Sequence, residues 1–326
     1  MKAAVRDSYG SVDVVRLEDV EPPTPADSEV LVRVKVASVN RADLDGLGPR
    51  PGITRLFLGI RRPREHRLGC DVAGVVESVG ANVTRFRPGD TVFADLYPYG
   101  QGAFAEFACA PEKAFLRVPT GLALDEAVTL PHSAILALQG LRLRSGRSIR
   151  PGDHVLIDGA SGNVGPFAVQ LAKSMGAEVT GSCSPAKMDL VRSVGADHVI
   201  DYTTVDYTRA DERYDWILDV DGHHPMLRCR RALKPGGAYV TIGGSNATLL
   251  EALLLGPLLS LIGDRFLGLM IWWKPFKAAD VATLTELIAA GTLRPVIDRR
   301  FPLAAVVDAL RYVDDGHARG KVLVTV

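Results

Sequence analysis

The stretch from His154 to Tyr202 constrains the fold of this chain most strongly, because an apolar run meets a glycine-rich turn and then a helical pattern. The run Val155–Ile157 leads into a turn with the pattern A-x-G-x-x-G, in which Ala160 takes the place of a first glycine. Apolar residues then recur at helical spacing, and Gly176 ends the pattern before a second apolar run, Glu178–Cys183. This order predicts the opening of a dinucleotide-binding βαβ unit.

The glycine turn itself is a candidate pyrophosphate site. Gly162 would let the backbone approach a pyrophosphate, and Gly165 would allow tight packing of the helix on the strand. The helix that follows offers unpaired N–H groups and the positive end of its dipole to the phosphates. The alternative is a plain strand, turn and helix whose glycines serve only the turn. We predict cofactor contacts from the whole turn: Ala160, Ser161, Gly162, Asn163, Val164 and Gly165.

The end of the second strand bears on which nicotinamide cofactor is preferred. NAD-specific sites place an Asp or Glu about 20 residues after the glycines, where it holds the ribose 2′-OH. Counting from Gly162 leads to Ser182, which is followed by Ser184 and Lys187 and by no carboxylate. Small hydroxyls beside a cation would accept a 2′-phosphate, so the sequence favours NADP(H). The alternative remains open that the serines form a turn and that Lys187 is a solvated helix residue.

Length, charge and cysteine content exclude several classes of protein. The 326 residues suffice for two domains, and a formal net charge of +0 gives no bulk attraction for nucleic acid or an anionic membrane. The four cysteines lie far apart without C-x-x-C spacing, which argues against a disulfide framework and a cysteine-rich zinc lobe. The first residues contain no apolar signal-peptide region. We therefore expect a cytoplasmic protein that acts on a small molecule.

One long apolar segment, Leu249–Trp273, could suggest a membrane span, but a proline and three charged residues interrupt it. We predict a buried helix followed by an apolar strand, and no membrane insertion. The strand region Phe266–Trp273 would be the last in its sheet, and a bare apolar edge favours pairing with another chain. We expect a homodimer with two sheets joined at this edge. Trp272 and Trp273 would line the substrate cleft or pack in the core or the interface.

The remaining pattern predicts an α/β chain of two domains. Residues 1–119 contain short β elements separated by Pro and Gly, as in an irregular β domain, and residues 274–326 are expected to complete it. Residues 120–273 contain alternating strands and helices, which predict a doubly wound parallel sheet of six strands. The predicted strands of this sheet are Val155–Asp158, Glu178–Cys183, His198–Ile200, Trp216–Asp219, Ala238–Ile242 and Phe266–Ile271.

Several motifs that span nearly the whole chain resemble the medium-chain dehydrogenase/reductase superfamily, in particular its zinc-independent quinone oxidoreductase-like branch. Besides the glycine turn, they are Ser38–Asp43, Leu68–Val76, Arg87–Val92, Gly102–Phe107, Gly195–Tyr202, Leu233–Gly237 and Gly320–Val322. The resemblance implies a GroES-like catalytic domain interrupted by a Rossmann cofactor domain, with the active site in the cleft between them. It also implies a homodimer and NADP contacts from Ser182, Lys187 and Tyr202. Tyr202 equally fits an aromatic residue that caps the sheet.

The same resemblance bears on metal binding. Zinc members of the superfamily hold the metal with a Cys, a His-Glu pair and a third Cys or His. The matching places in this chain carry Asn40, Cys70-Asp71 and the region Pro131–Ser133. An amide replaces the first ligand and a Cys replaces the His, so we expect no tetrahedral zinc site, although Cys70 and His132 keep some ligand character.

Without a Lewis acid, oxidation of a simple alcohol is difficult, whereas hydride transfer from NADPH to a conjugated acceptor is easier. We therefore predict a reductase of quinones or of α,β-unsaturated carbonyls. The candidate catalytic residues are Asn40, as an amide donor or turn residue, Asp43, which would orient Asn40 or bond the backbone without acid–base chemistry, and His132. Gly243 is expected to let the backbone approach the nicotinamide. The alternatives are a cofactor-binding scaffold without turnover and a tailoring reductase of a biosynthetic pathway.

Overall fold

The computed structural model describes residues 1–48, 59, 61–271, 273–274 and 276–326. Trp272, one of the two tryptophans predicted to line the cleft or to pack, lies outside these residues. The strands are β1 Lys2–Val5, β2 Arg16–Asp19, β3 Glu29–Val39, β4 Asp71–Val79, β5 Thr91–Asp95, β6 Phe107–Pro111, β7 Phe115–Arg117, β8 His154–Asp158, β9 Glu178–Cys183, β10 His198–Asp201, β11 Tyr214–Asp219, β12 Leu233–Thr241, β13 Phe266–Leu269, β14 Ile297–Pro302 and β15 Lys321–Thr325.

The α-helices are short except where they cover a sheet. They are α1 Arg41–Asp45, α2 Leu124–Ala127, α3 Ile135–Gly140, α4 Gly165–Ser174, α5 Met188–Ser193, α6 Met226–Arg231, α7 Asn246–Leu261, α8 Ala278–Ala289 and α9 Val306–Asp314. A π-helical turn, Leu130–Ala134, precedes α3. None of the helices in the described part of the chain is long and apolar enough to cross a membrane.

The chain divides into two compact units. The first contains Met1–Ser133, Pro275–Glu286 and Ile297–Val326, and the second contains Ala134–Lys274 and Leu287–Val296. Compared with the predicted boundaries, residues 120–133 join the first unit and residues 287–296 join the second. Local hydrogen bonds account for both differences. His132 bonds Asp95 within the first unit, and Gln170 and the backbone of Arg294 exchange two bonds within the second.

The first unit is built on a mixed sheet with the strand order β14-β15-β3-β4-β5-β7, and β6 also pairs with β3. Strand β3 is the long central member, and its alternating burial places valines such as Val30, Val32 and Val34 in the core of the unit. This irregular, mainly antiparallel sheet is the predicted GroES-like domain. Strand β15 from the end of the chain pairs with β3, so the last residues belong to this unit.

The second unit contains a parallel sheet with the order β10-β9-β8-β11-β12-β13. This is the doubly wound arrangement that the sequence predicts, and the prediction of six parallel strands is confirmed. The chain order reverses direction between β8 and β11, where open α/β sheets bind their ligands. Strand β13 lies at one edge, as expected, but it ends at Leu269 and does not extend to Trp273.

Helix α7 is less buried than predicted. We expected a buried helix from its apolar composition, yet leucines along one side of it are exposed, and Leu261 is 82% exposed. The opposite side packs on β13, where the Ser260 hydroxyl donates to the carbonyl of Leu267. The helix therefore has two apolar sides, of which the sheet covers one. The exposed leucines are Leu250, Leu253, Leu254, Leu255, Leu258 and Leu261.

Candidate functional site

A row of polar side chains crosses three neighbouring strands of the first unit at one end of the sheet. Ser38 on β3 lies opposite Asp71 on β4, and Asp71 lies opposite Asp95 on β5. All three are buried, and the Ser38 hydroxyl donates to Asp71 Oδ2 at 2.8 Å. Buried carboxylates are rare unless they are paired with a donor or a cation, so this row requires partners.

Asn40 connects this row to neighbouring side chains through four hydrogen bonds. Its amide nitrogen donates to Asp71 Oδ2 at 2.9 Å and to the carbonyl of Ser38 at 3.4 Å. Its amide oxygen accepts from Ser133 Oγ at 3.0 Å and from Lys321 Nζ at 2.6 Å. Both ends of the amide are therefore engaged within the protein. Its use as a direct donor to a substrate stays a prediction, and it requires the exchange of one of these bonds.

Lys321 is the member of this group that sequence reasoning did not single out as a site residue. Its ammonium is fully buried, donates to Ser133 Oγ at 3.0 Å and lies 3.6 Å from Asp71 Oδ2. Burial lowers the pKa of Lys321, and the Asp71 carboxylate opposes that shift. The Gly-Lys-Val motif was the available signal, but its partners lie far away along the chain. The sequence alone could not connect them.

Asp43 serves the backbone next to Asn40, as one of the predicted readings holds. Its carboxylate accepts the Asn40 backbone N–H at 2.7 Å at the start of α1. Burial raises the pKa of Asp43 to about 6, while a hydrogen bond from the Cys70 thiol opposes the shift. The side chain is 1% exposed, so it contacts the interior of the unit.

His132 and Tyr97 are the members of the site with accessible surface. His132 Nδ1 lies 3.0 Å from Asp95 Oδ2, and 11% of the His132 side chain is exposed against none of Asp95. The other carboxylate oxygen of Asp95 accepts the Tyr97 backbone N–H at 2.9 Å. The Tyr97 and His132 ring centroids are 6.0 Å apart, and Tyr97 is 43% exposed. His132 thus lies between the buried row, to which its partner Asp95 belongs, and an aromatic surface residue.

The donor set of this site does not fit a zinc ion. No group of three or more His, Cys, Asp or Glu side chains that could hold a metal occurs among the described residues. Asn40 offers an amide whose oxygen already accepts two bonds, and burial together with Asp43 raises the pKa of the Cys70 thiol well above its ordinary value. A protonated thiol is a poor metal ligand, because zinc binds the thiolate.

The two glycines of the turn in the second unit, Gly162 and Gly165, have different surroundings. A Cβ at Gly165 would lie 2.3 Å from the backbone of Gly159 and of Ala160, so close packing requires this glycine. A Cβ at Gly162 would have no neighbour closer than a carbonyl oxygen at 4.0 Å. The protein itself leaves open space over Gly162, beside the first turn of α4. This is the space that a pyrophosphate would need, so the turn fits the group.

The rest of the turn is anchored to the neighbouring strand. The Ala160 N–H donates to the carbonyl of Ser182 at 2.9 Å. Ala160, Ser161 and Val164 are buried, whereas Asn163 is half-buried, so the turn presents its backbone more than its side chains. Contacts from these residues to a cofactor would therefore be made mainly by main-chain groups.

The structure places the predicted 2′-phosphate residues at different depths. Ser182 has no exposed surface and is the next-to-last residue of β9, beside Asp158, its partner in register on β8. The expected contact between its hydroxyl and a 2′-phosphate stays a prediction. Lys187 is half-buried in the turn after β9, and Tyr202 is 55% exposed at the end of β10. The half-buried Ser184 is the serine of this loop with accessible surface.

Gly243 follows β12, and a protein contact explains its lack of a side chain. A Cβ there would lie 2.2 Å from the carbonyl oxygen of Val220. The loop after β11 thus approaches this glycine closely whether or not a ligand is bound. The predicted approach of Gly243 to a nicotinamide stays a prediction.

A pair of buried carboxyl groups lies at the carboxyl ends of β8 and β11, and sequence reasoning missed it. Asp158 and Asp219 are partners in register, and Tyr239 donates to Asp219 Oδ2 at 2.6 Å. Burial raises the pKa of both groups, and the Asp158 charge adds to the shift of Asp219, whose pKa is about 7. An Asp directly after each apolar run was the signal that could have found the pair.

Two family profiles match the chain. The profile described as an alcohol dehydrogenase GroES-like domain matches residues 26–120, and the profile described as a zinc-binding dehydrogenase matches residues 194–324. The mouse protein named NAD(P)H oxidoreductase RTN4IP1, mitochondrial, is 34% identical over 100% of this chain and 89% of its own length. The chloroplastic quinone-oxidoreductase QR1 of Triphysaria versicolor is 32% identical over 99% of this chain and 98% of its own length.

The fold is also similar to a solved structure. The quinone oxidoreductase from Coxiella burnetii superimposes with a TM-score of 0.87 at 27% identity, covering 100% of this chain and 99% of that structure. The relatives contradict one expectation. We expected a cytoplasmic protein, but the relatives named above are mitochondrial and chloroplastic, so a plain cytoplasmic location is wrong as an inference from this sequence. Neutral charge and cysteine spacing do not distinguish these compartments.

Proposed function

The chain belongs to the medium-chain dehydrogenase/reductase superfamily as a quinone oxidoreductase-like member, and we propose that it is an NADPH-dependent reductase of conjugated acceptors that works without a metal ion. Its relatives are oxidoreductases that use NAD(P)H, and this coarser activity is that of the family. The acceptors proposed for this chain are quinones and α,β-unsaturated carbonyls. Their electrons end on a conjugated oxygen, so the reaction needs no Lewis acid.

The open space over Gly162 is the observation that carries the proposal. A glycine that neither packing nor backbone conformation requires leaves open space just before the first turn of α4. Open space at a helix N-terminus suits a pyrophosphate. We propose that the turn Ala160–Gly165 holds the pyrophosphate and that Lys187 and Tyr202, with Ser184, hold a 2′-phosphate. The loop after β9 carries no carboxylate between Ser182 and Lys187, which supports NADP(H) over NAD(H).

When bound, the nicotinamide supplies a hydride. The chain's own contribution is to align the acceptor and exclude water. In this proposal Asn40 and Asp43 fix the shape of the site from below, and His132 faces the acceptor with Tyr97. Both the nitrogen and the oxygen of the Asn40 amide are hydrogen-bonded, so the side chain forms a fixed inner wall of the site.

Metal independence is supported by the chemistry of the candidate donors. Asn40 stands in place of a thiolate, and burial together with Asp43 raises the pKa of the Cys70 thiol. Metal analysis of the purified protein tests this part of the proposal. We expect less than one zinc per ten chains and full activity after dialysis against a chelator. Stoichiometric zinc that is lost together with activity would contradict it.

A screen of NADPH oxidation against quinones and enones tests the activity. The expected result is turnover with at least one conjugated acceptor, with NADPH preferred over NADH. Separate measurement of NADPH binding by fluorescence distinguishes the alternative of a scaffold protein. Tight NADPH binding without oxidation by any acceptor would support the scaffold, and no binding of either cofactor would overturn both readings.

We also propose a homodimer, through the edge strand β13 and the exposed leucines of α7. The strand has no pairing partner beyond β12 among the described residues, and the leucines lie on the helix that packs against it. An unpaired edge next to an apolar stripe suits a second copy of the same surface. Light scattering at micromolar concentration tests this, and the mass of one chain would contradict it.

A further inference from the structure

The His132–Asp95 pair has the arrangement of an acid held ready by a carboxylate. Asp95 is completely buried and uses its two oxygens for different neighbours, one for His132 Nδ1 and one for the Tyr97 N–H. The Asp95 side chain has no exposed surface, and its hydrogen bond to Nδ1 holds the imidazole ring of His132 in place. The ring also has exposed surface, so it lies at the boundary between the buried row and the outside of the unit.

We propose that His132 is the proton donor of this enzyme, that Asp95 is its positioning residue, and that the preferred acceptor is therefore an α,β-unsaturated carbonyl and not a quinone. This inference rests on the proposed reductase function. Asn40, Lys321 and Asp71 form the layer below, and Ser133 links that layer to the preceding residue in the chain, His132.

The reason for the substrate class lies in where the proton must go. After an enone receives hydride at its β-carbon, the electron pair of the double bond lies on an enolate. The α-carbon then accepts a proton from His132, the neutral imidazole regains one from water, and the sum is hydride plus one proton added across the C=C bond. Carbon is protonated slowly by water, so a positioned acid accelerates this step. A reduced quinone takes its protons on oxygen, where water suffices.

The charges around His132 keep it in the acid form. Burial alone would lower the pKa of His132, but the Asp95 carboxylate and its hydrogen bond outweigh this effect, and Asp71 adds to it. Lys321 acts in the opposite direction, although its ammonium lies against Asp71. Asp43 and His132 also interact favourably. The balance raises the pKa of His132 above its ordinary value, which suits a donor at neutral pH.

The first experiment compares His132→Asn with wild type on one enone and one quinone. Asn can keep the bond to Asp95 through its amide nitrogen, but it has no proton to give. A general acid contributes about 10²–10⁴ in rate, so the ratio of enone kcat to quinone kcat should fall about 100-fold. The matched control is His317→Asn, an exposed histidine of the same unit, and it should leave both rates unchanged.

A stereochemical readout separates proton donation from a structural role. In deuterated water, an enone with one α-substituent should gain deuterium on a single face with wild type. With His132→Asn the product should contain both α-epimers, because water protonates the released enolate. A second variant, Asp95→Asn, keeps the ring but removes the charge. NMR titration without cofactor should then show the His132 midpoint at lower pH than in wild type.

The outcomes are distinct. An unchanged enone-to-quinone ratio, unchanged stereochemistry at the α-carbon, or an unchanged His132 midpoint in Asp95→Asn would overturn the inference while leaving the reductase proposal in place. The proposed function would be overturned instead if the wild-type protein failed to oxidise NADPH in the presence of any acceptor tested. The NMR titration would still report on the His132–Asp95 pair in that case.

Discussion

Replacement of each turn glycine by alanine should separate folding from cofactor binding. At Gly165 the added Cβ would lie 2.3 Å from the Gly159 carbonyl oxygen and the Ala160 carbonyl carbon, about 1 Å short of the 3.4 Å at which ordinary contact begins. These are backbone atoms between β8 and α4, so they cannot move aside as a side chain would. Overpacking of this kind costs about 1–3 kcal/mol, and we expect Gly165→Ala to lie near the upper limit.

At Gly162 the same change should be nearly neutral for folding. The closest atom to the added Cβ lies at 4.0 Å, and substitutions without strain change stability by about 0.5 kcal/mol or less. The methyl group would occupy the space proposed for the pyrophosphate. We therefore expect Gly162→Ala to weaken NADPH binding at least tenfold, which corresponds to about 1.4 kcal/mol.

Urea unfolding and NADPH fluorescence titration of the two variants form the assay. Gly165→Ala should have a lower unfolding midpoint than wild type, and Gly162→Ala should share the wild-type midpoint but bind NADPH weakly. The reasoning about the turn is refuted if Gly162→Ala binds NADPH as wild type does. The packing argument is refuted if Gly165→Ala is as stable as wild type.

Three further predictions concern the buried row and the apolar helix. Burial raises the pKa of Asp43 to about 6 in the folded protein, against an ordinary value of 3.8. The contribution of Asp43 to stability is therefore full below pH 3.8 and is lost as the pH rises to 6, a loss of about 3 kcal/mol. Asp43→Asn should remove this pH dependence, as measured by urea unfolding across pH 4–7. Lys321→Met should destabilise the protein by about 3–5 kcal/mol, because it leaves Asp71 buried without its cation, and Lys321→Met with Asp71→Asn should recover part of this in the same assay. Leu254→Glu should halve the mass measured by light scattering if α7 lies in a dimer interface, and an unchanged mass would argue against that interface.

The sequence was sufficient where one local pattern decided the outcome. Alternation of apolar runs and helical periods predicted the six parallel strands, because both faces of such a sheet must be apolar. The predicted Glu178–Cys183 agrees in its bounds with β9. The bounds of β13 were overestimated, because Met270 and Ile271 are as apolar as the strand but lie beyond the last residue pair of its register with β12, Thr241 and Leu269.

The sequence was insufficient where burial depended on distant partners. The sequence pattern of an apolar helix such as α7 is the same whether the helix packs in a core or against a second molecule. The sequence therefore did not predict that its leucines are exposed. Ser182 counts correctly from the glycines, but the register of β9 against β8 turns it towards Asp158 and away from solvent. The Gly-Lys-Val motif marks Lys321 but does not reveal its partners, because Asn40 and Asp71 approach it only after β15 pairs with β3.

The Lys321 ammonium opposes metal binding at this site, in addition to the lack of suitable metal ligands. The ammonium lies among Asn40, Ser133 and Asp71 and already balances the Asp71 charge. A divalent ion placed about 4 Å from the ammonium would meet a repulsion from that single charge of about 8 kcal/mol at an effective dielectric constant of 20, which the adjacent Asp71 carboxylate would offset in part. A zinc ion here would therefore compete with the lysine for Asn40 Oδ1 and Asp71. The cation of this site is thus supplied by the chain itself, which is the physical basis for proposing a reductase that needs none from solution.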